Sequence, residues 1–455
     1  MFPLLLLGDQ RKMNGMRAFV FLGSLLLSFF LQCSAKAEAP PGPQLSLEEA
    51  VDTALAQHPT LAIGQASIDA AQQRVRQQEA GYLPQGRYTY NYSRQERTST
   101  SATGGVQVGG TQQRASTQTQ LFNFNSMAFN FSQLLFDFGR TLDEIRSARA
   151  NVEANTADLD TVRQTVIFNT KQAFFTTLAS RRLLQVADET VQQNQQHLAN
   201  AQARFEVGLT ARFDVTQAQV QVSTAILNQV TARNNVALAH ETLRTAMGLT
   251  GPFLFTLVDT LDLRSVTLND EDLVPRAYAS RPELRSLHAQ QRVIEGQVSS
   301  LQKQYLPSVT GNAQYNWTGR EYPLQQGWLW GVTLTVPLFD DILTSGQVGE
   351  AKANLSGLRA QEENLRQQIL LEVRQSILTL QQAEESIRVS EVTVGQAREN
   401  LTLAEGRYAA GVGNIIELTD AQVSLTAAQA NKIQALTTYK TALAQVEKAI
   451  NQRLE

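Results

Sequence analysis

The segment ARFEVGLTARFDVTQAQV at residues 203–220 returns later in the chain as GRYAAGVGNIIELTDAQV at residues 406–423. Arg204-Phe205-x-x-Gly208 answers Arg407-Tyr408-x-x-Gly411, and Ala218-Gln219-Val220 answers Ala421-Gln422-Val423. Each glycine stands between two very long stretches whose apolar residues recur at helical spacing. Three earlier pairs keep the same order: His58-Pro59-Thr60-Leu61 with Arg281-Pro282-Glu283-Leu284, Tyr82-Leu83-Pro84 with Tyr305-Leu306-Pro307, and Leu135-Phe136-Asp137 with Leu338-Phe339-Asp340. The period, about two hundred residues, is far above that of a solenoid, so the chain is a duplicated domain.

Both halves run through one order of segments. A helix comes first, at 47–80 and again at 270–304. Two strand-like runs follow, at 82–94 and 118–136, then at 306–318 and 328–339. A very long helix spans 141–207, and again 346–410. After the turn at Gly208 or Gly411 a further helix covers 213–247 or 415–451. At 1.5 Å per residue the long helix reaches about 100 Å, deeper than any globular core. Such a rod survives only by packing along its length. The two shorter helices of a half, stacked end to end, would make a second rod beside it. Residues 251–269, with Gly251-Pro252 and several acids, would cross at mid-height between the first repeat (46–250) and the second (270–455).

The N-terminus sets the compartment. Arg11, Lys12 and Arg17 precede an apolar run from Ala18 to Leu31, and Ala35-Lys36-Ala37 follows as a small-x-small site. That order predicts a secretory signal peptide over 1–37, since the apolar run is too short for a span of about 20 residues. Residues 38–45 read as a Pro-rich linker. The only cysteine, Cys33, lies in the signal and follows Gln32, which argues against a lipoprotein site. The mature chain then has neither disulfides nor thiolate metal ligands. Net charge is −3 and basic residues are scattered, so no nucleic-acid footprint is present.

The strand-like runs alternate. Tyr88, Tyr90 and Tyr92 alternate with Arg87, Thr89, Asn91 and Ser93. Phe122 and Phe124 give way to Met127, Phe129 and Phe131, a slip in phase near Asn125-Ser126 that predicts a β-bulge. Tyr315 and Trp317, then Trp328 and Trp330, continue the aromatic pattern in the second half. Soluble sheets with one buried face alternate too. The aromatic faces and the long polar loop at 96–118 favour a membrane β-barrel. Four strands leave edges that hydrocarbon does not tolerate, so several chains must share one closed barrel. An open pore needs at least three copies; the residues alone leave the number open.

The paired Tyr-Leu-Pro elements, Leu135-Phe136-Asp137-x-Gly139 with Leu338-Phe339-Asp340, and the two glycine turns together resemble the TolC-like outer membrane efflux protein family. The likeness covers nearly the whole mature chain in order. No single motif is specific; the duplicated order is. It implies a mainly α fold with a membrane β-barrel: a homotrimer, four strands per protomer in a shared twelve-stranded barrel, and a long α-helical coiled-coil tunnel in the periplasm. It implies outer membrane lipid around the barrel, and a periplasmic adaptor protein and an inner-membrane pump as partners. The tips Gly208, Leu209, Gly411 and Val412 would meet the adaptor. Glu417 and Asp420, three residues apart, would form electronegative rings at the pore mouth, although Asn414-x-x-Glu417 also reads as a plain capping box. Asp214 and Gln217 stand at the matching places of the first half, so one acid is kept there. Tyr408 matches a family tyrosine that bonds an acid of the other hairpin, here Asp214, in the closed state. An arginine usual just after the second turn is replaced by Gly413, which puts the family's closed-state lock in doubt.

No enzymatic constellation is visible, and the sequence calls for no cofactor. His58, His197, His240 and His288 stand apart, without zinc-binding spacing, and the Gly pairs at 104–105 and 109–110 lack a phosphate-loop Lys. The acid pairs Glu48-Glu49, Glu362-Glu363 and Glu384-Glu385 read as solvated helix faces. The expected function is the exit duct of a tripartite efflux or type I secretion system. A periplasmic adaptor would have one hairpin rather than two, and a secreted coiled-coil protein would have no use for the strands.

Overall fold

The computed structural model describes residues 44–101, 116–251, 255–263 and 270–454. The signal peptide, most of the linker, the centre of the long polar loop and parts of the crossing segment lie outside the described residues. Strand β1 (Gln44–Leu45) leads into α1 (Leu47–Gln57) and α2 (Pro59–Glu79). Strands β2 (Gln85–Ser101) and β3 (Ser116–Phe136) precede α3 (Arg140–Glu206) and α4 (Arg212–Ala246). After β4 (Thr256–Leu257) the second half repeats the order as α5 (Asp270–Ser280), α6 (Pro282–Gln302), β5 (Ser308–Gly319), β6 (Gln325–Thr335), α7 (Asp341–Ala409) and α8 (Ile415–Ile450). Among the described residues no helix is long and apolar enough to cross a membrane.

The long helices, of 67 and 69 residues, reach about 100 Å at the standard rise. The shorter helices stack end to end beside them. Gly248, just past α4, has φ +72, and a Cβ there would stand 2.7 Å from His58 Cα, at the start of α2. The second joint is bonded as well as packed: Arg281 Nε donates to Ala449 O (2.8 Å) and Ser280 Oγ to Ile450 O (2.7 Å). Four rods therefore lie side by side in the order α4/α2, α3, α8/α6, α7. The strands extend the rods in the same order, as an antiparallel sheet β2-β3-β5-β6.

Each half opens with two helices rather than the single helix expected. His58 and Arg281 take extended ψ of 123° and 127°, because the following proline disfavours helical backbone in the residue before it. Pro59 and Pro282 then begin α2 and α6, where a missing N–H costs nothing. Ser46 and Glu49 form a reciprocal capping box at the start of α1. Gln44 and Leu45, read as the linker's end, pair in parallel with Thr256 and Leu257. This short ribbon marks the mid-height belt, where Leu45, Phe174, Leu178, Leu243, Tyr439 and Val446 form the main apolar core. Ion pairs tie the belt to the rods: Arg182 grips Asp259 with two 2.8 Å bonds and Lys440 meets Asp262 at 3.0 Å, while Lys171 of α3 pairs with Glu447 of α8 between two rods.

Tyr82-Leu83-Pro84 is not strand, as expected, but a 3₁₀ turn and a link. β6 ends at Thr335 and α7 begins at Asp341, five residues before the expected start. The bulge predicted near Asn125-Ser126 is absent. Both residues pair in unbroken register with β2 and β5, and the shift lies between Leu134 and Phe136. Phe122 and Phe124 change phase because they project from the opposite face of the sheet. There the Arg320 guanidinium covers the Phe122 ring at 3.8 Å.

Candidate functional site

The sheet presents one aromatic face. Register sets Tyr88, Phe129, Tyr315 and Trp328 in one row, Tyr90, Met127 and Trp317 in a second, and Phe131 with Trp330 in a third. The Tyr88 and Phe129 rings lie 4.8 Å apart, and Tyr315 and Trp317 meet edge to face at 4.5 Å. Tyr92 continues the face. Trp328 and Trp330 are 71% and 72% exposed, so nothing among the described residues covers a band that water would penalise. The opposite face carries Thr89, Asn130, Gln314 and Asn316, which suits contact with water. At either end, β2 and β6 keep one unpaired edge each.

At the other end of the rods, both turns close alike. Gly208 and Gly411 have φ of +74° and +75°, a region that glycine enters without steric cost. Leu209 N donates to Arg204 O (2.8 Å) and Val412 N to Arg407 O (3.1 Å), the long bond of a Schellman-type ending. Leu209 and Val412 are about 70% exposed at the tips.

Asn414 Oδ1 accepts from Glu417 N at 2.8 Å, capping α8. The Glu417 carboxylate does not complete the box; it pairs with Arg407 Nε at 3.3 Å across the turn. Asp420 is exposed on the same helix. Tyr408 is buried, and its hydroxyl has no partner among the described residues. Asp214 forms no hydrogen bond to it, yet its charge, after burial, helps raise the Tyr408 pKa. The bond between hairpins comes from elsewhere. Arg204 of α3 donates to Tyr408 O (2.5 Å) and Ala409 O (3.3 Å), and its guanidinium lies 4.9 Å from the Tyr408 ring centre. A cation set on the last carbonyls of α7 also meets the negative end of that helix.

The chain matches the outer membrane efflux protein family over residues 50–249 and 273–452. It belongs to that family. Among curated relatives, the outer membrane protein TolC of Escherichia coli K12 is 27% identical over 58% of this chain and 57% of its own length. TolC of Vibrio cholerae is 25% identical over 63% of this chain and 68% of its own. The chain thus spans less than two thirds of the Escherichia coli relative. Among solved structures, the Campylobacter jejuni CmeC outer membrane channel superposes with a TM-score of 0.76 at 17% identity, covering 90% of this chain and 86% of that one. The open state of the Neisseria gonorrhoeae MtrE outer membrane channel gives 0.74 at 17% identity, covering 90% and 89%. The fold is that of outer membrane efflux channels, with tunnel helices and a few strands. The chain is accordingly an outer membrane protein whose helices extend into the periplasm.

Sequence reading missed Arg204 as a clamp and Arg281 as a brace. Arg281 is 5% exposed and its Nη2 meets Glu372 at 2.5 Å. Its position opposite His58 in the duplication was the available signal, since a charged residue fills the same turn of the repeat. His288 and Glu362, read as isolated and solvated, form a contact of 3.0 Å. Glu362 also accepts from Gln291 and Arg366, and these bonds, with His288, hold its pKa down at about 2.

Proposed function

We propose that three copies of this chain close into a twelve-stranded barrel continuous with a tunnel of twelve rods. The product is the passive exit duct of a tripartite efflux or type I secretion system. One observation carries this reading. At every level the chain ends on two different open flanks: β2 and β6 in the sheet, α2 and α7 above the belt, α4 and α7 below it. Flanks that differ join head to tail, and head-to-tail contacts close into rings. Eight strands, from two copies, would fill their own interior, so a conduit needs more. The aromatic face then meets lipid and the polar face lines the lumen.

The duct is opened at its periplasmic end by an adaptor protein and an inner-membrane pump. Leu209 and Val412, beside Gly208 and Gly411, are the apolar points that adaptor hairpins contact. Glu417 and Asp420 repeat around the mouth and concentrate negative potential there, which favours cations. Tyr408 and Asp214 lie at the contact between hairpins that holds the tips together. Nothing in this scheme requires catalysis by the chain.

The deciding experiment is purification from outer membranes, followed by gel migration without heating and conductance in planar bilayers. A detergent-resistant trimer that conducts ions is expected; a soluble periplasmic monomer would overturn the duct. Glu417→Ala with Asp420→Ala should abolish block of the current by multivalent cations. Unchanged block would refute the ring.

A further inference from the structure

His197 sits on α3 about two helical turns above Arg204. Its side chain is 16% exposed, and its Nε2 faces Glu405 Oε1 of α7 across 3.9 Å. That is beyond hydrogen-bond reach, and Nε2 has no other partner among the described residues. The imidazole is therefore enclosed where the first hairpin meets the second, with a ring nitrogen unsatisfied. A buried, unbonded polar atom is costly, and a charge at that atom would be costlier.

The charged groups around this contact have other engagements. On α3, Arg204 is held by the last carbonyls of α7, and Glu206 is exposed at the tip. On α7, Arg407 pairs with Glu417 of α8, while Asp420 of α8 is exposed. On α4, Arg212 is exposed at the helix start, and the charge of Asp214 acts on Tyr408. Glu405 is the charge that acts on His197. One turn higher, Gln422 of α8 donates to Gln193 of α3 at 2.6 Å, a neutral contact.

We propose that His197 is a proton-sensitive latch between the two hairpins. Neutral, the ring stays packed at the seam between α3 and the α7–α8 hairpin; protonated, it moves to water and the tips part. The idea rests on the duct reading above, because only a duct has a mouth to open. Burial lowers the His197 pKa and the opposing pull of Glu405 does not restore it. The packed state therefore binds fewer protons than a state in which the ring is solvated. Its stability is complete above about pH 6.5, the free histidine value. It declines as pH falls from there to the lowered value.

The test is single-channel recording of the full protein in planar bilayers at about pH 7.5 and about pH 5.5, on either side of the free value. In the wild type, acid should raise the open-to-closed ratio. One unit below the free value, the rise is bounded at about tenfold per protomer. His197→Gln, neutral at both values, should lose the rise. Glu405→Gln keeps the histidine but removes the charge that favours its protonation in place, so the rise should be at least as large. An equal rise in His197→Gln, no rise in the wild type, or a smaller rise in Glu405→Gln overturns the latch. A wild type that never conducts overturns the duct itself.

Discussion

Gly248 and Gly208 have nearly the same backbone, φ +72 and +74, but different surroundings, and this pair isolates the energy of the rod joint. Replacing Gly208 with Ala adds a Cβ that meets nothing within 4 Å. The cost is that of the left-handed conformation alone, about 1–2 kcal/mol. Replacing Gly248 with Ala adds the same strain and sets the Cβ 2.7 Å from His58 Cα and 3.1 Å from Gln57 O. These are backbone atoms, so α2 must move off the end of α4. Overpacking adds about 1–3 kcal/mol, which brings the total to roughly 2–5 kcal/mol. Hydrogen exchange reads this locally. Near Gln57–Leu61, Gly248→Ala should speed amide exchange by roughly thirtyfold to several thousandfold, at 1.36 kcal/mol per decade. Gly208→Ala should speed exchange by about five- to thirtyfold, and only at its own tip. If the Gly248 variant exchanges no faster at the joint than the Gly208 variant does at the tip, the helices are not butted end to end. The account of two shorter helices acting as one rod would then fail.

Arg204→Ala removes two bonds to the end of α7 and the stacking on Tyr408. At this partly exposed site the loss is about 1 kcal/mol in each protomer, so the open-to-closed ratio in bilayers should rise about fivefold per protomer; no change would deny Arg204 its clamping role. Glu362 titrates at about 2 rather than 4.5, so its contribution to stability is present above about pH 4.5 and lost as pH falls toward 2. Glu362→Gln should flatten that part of a stability-against-pH curve, and an unaltered acid limb would show that its bonds contribute nothing. Trp328→Arg puts a charge on the aromatic face at a cost of about 2–4 kcal/mol if it meets mid-bilayer lipid. Gln314→Arg, on the other face, should be tolerated; unheated gel migration compares the two, and equal yields of trimer would reject the assignment of faces.

The features legible in the sequence were those that depend on local chemistry. Gly208 and Gly411 announced reversals because few other residues reach positive φ cheaply. Helical spacing marked the long rods, and alternation marked the strands, because each period follows from backbone geometry. What escaped was set by neighbours far along the chain. Phe122 and Phe124 suggested a bulge because a phase change on one strand looks the same whether the backbone shifts or the side chains turn to another face. Only the pairing of Asn125 with Tyr92 and Gly319 separates the two. Arg204 meets residues two hundred positions away, and no local pattern encodes that. His58-Pro59 and Arg281-Pro282 were visible as a repeat, but not as breaks, because proline at the first turn of a helix and proline ending a helix leave the same letters.

The duplicated halves have diverged where their surroundings differ. The α8/α6 rod lies between α3 and α7, whereas the α4/α2 rod lies on an open flank. Arg281 is therefore enclosed, and its charge is met by Glu372 on one side and the Ala449 carbonyl on the other. His58, at the matching joint, is half-buried and uses Nδ1 to cap its own helix at Thr60. At the place of Glu372 the first half has Asn169 on α3, so a guanidinium at position 58 would meet no carboxylate there. Asp137 shows the same divergence. It is buried and accepts from Gly139 N, Thr141 N and Thr141 Oγ1, while Asp340 makes no side-chain cap. In these two pairs the inner position carries the polar brace and the outer one does not. That is the distribution expected of a unit whose flanks are completed by copies of itself, since an ion pair built into one chain cannot also be reserved for the next.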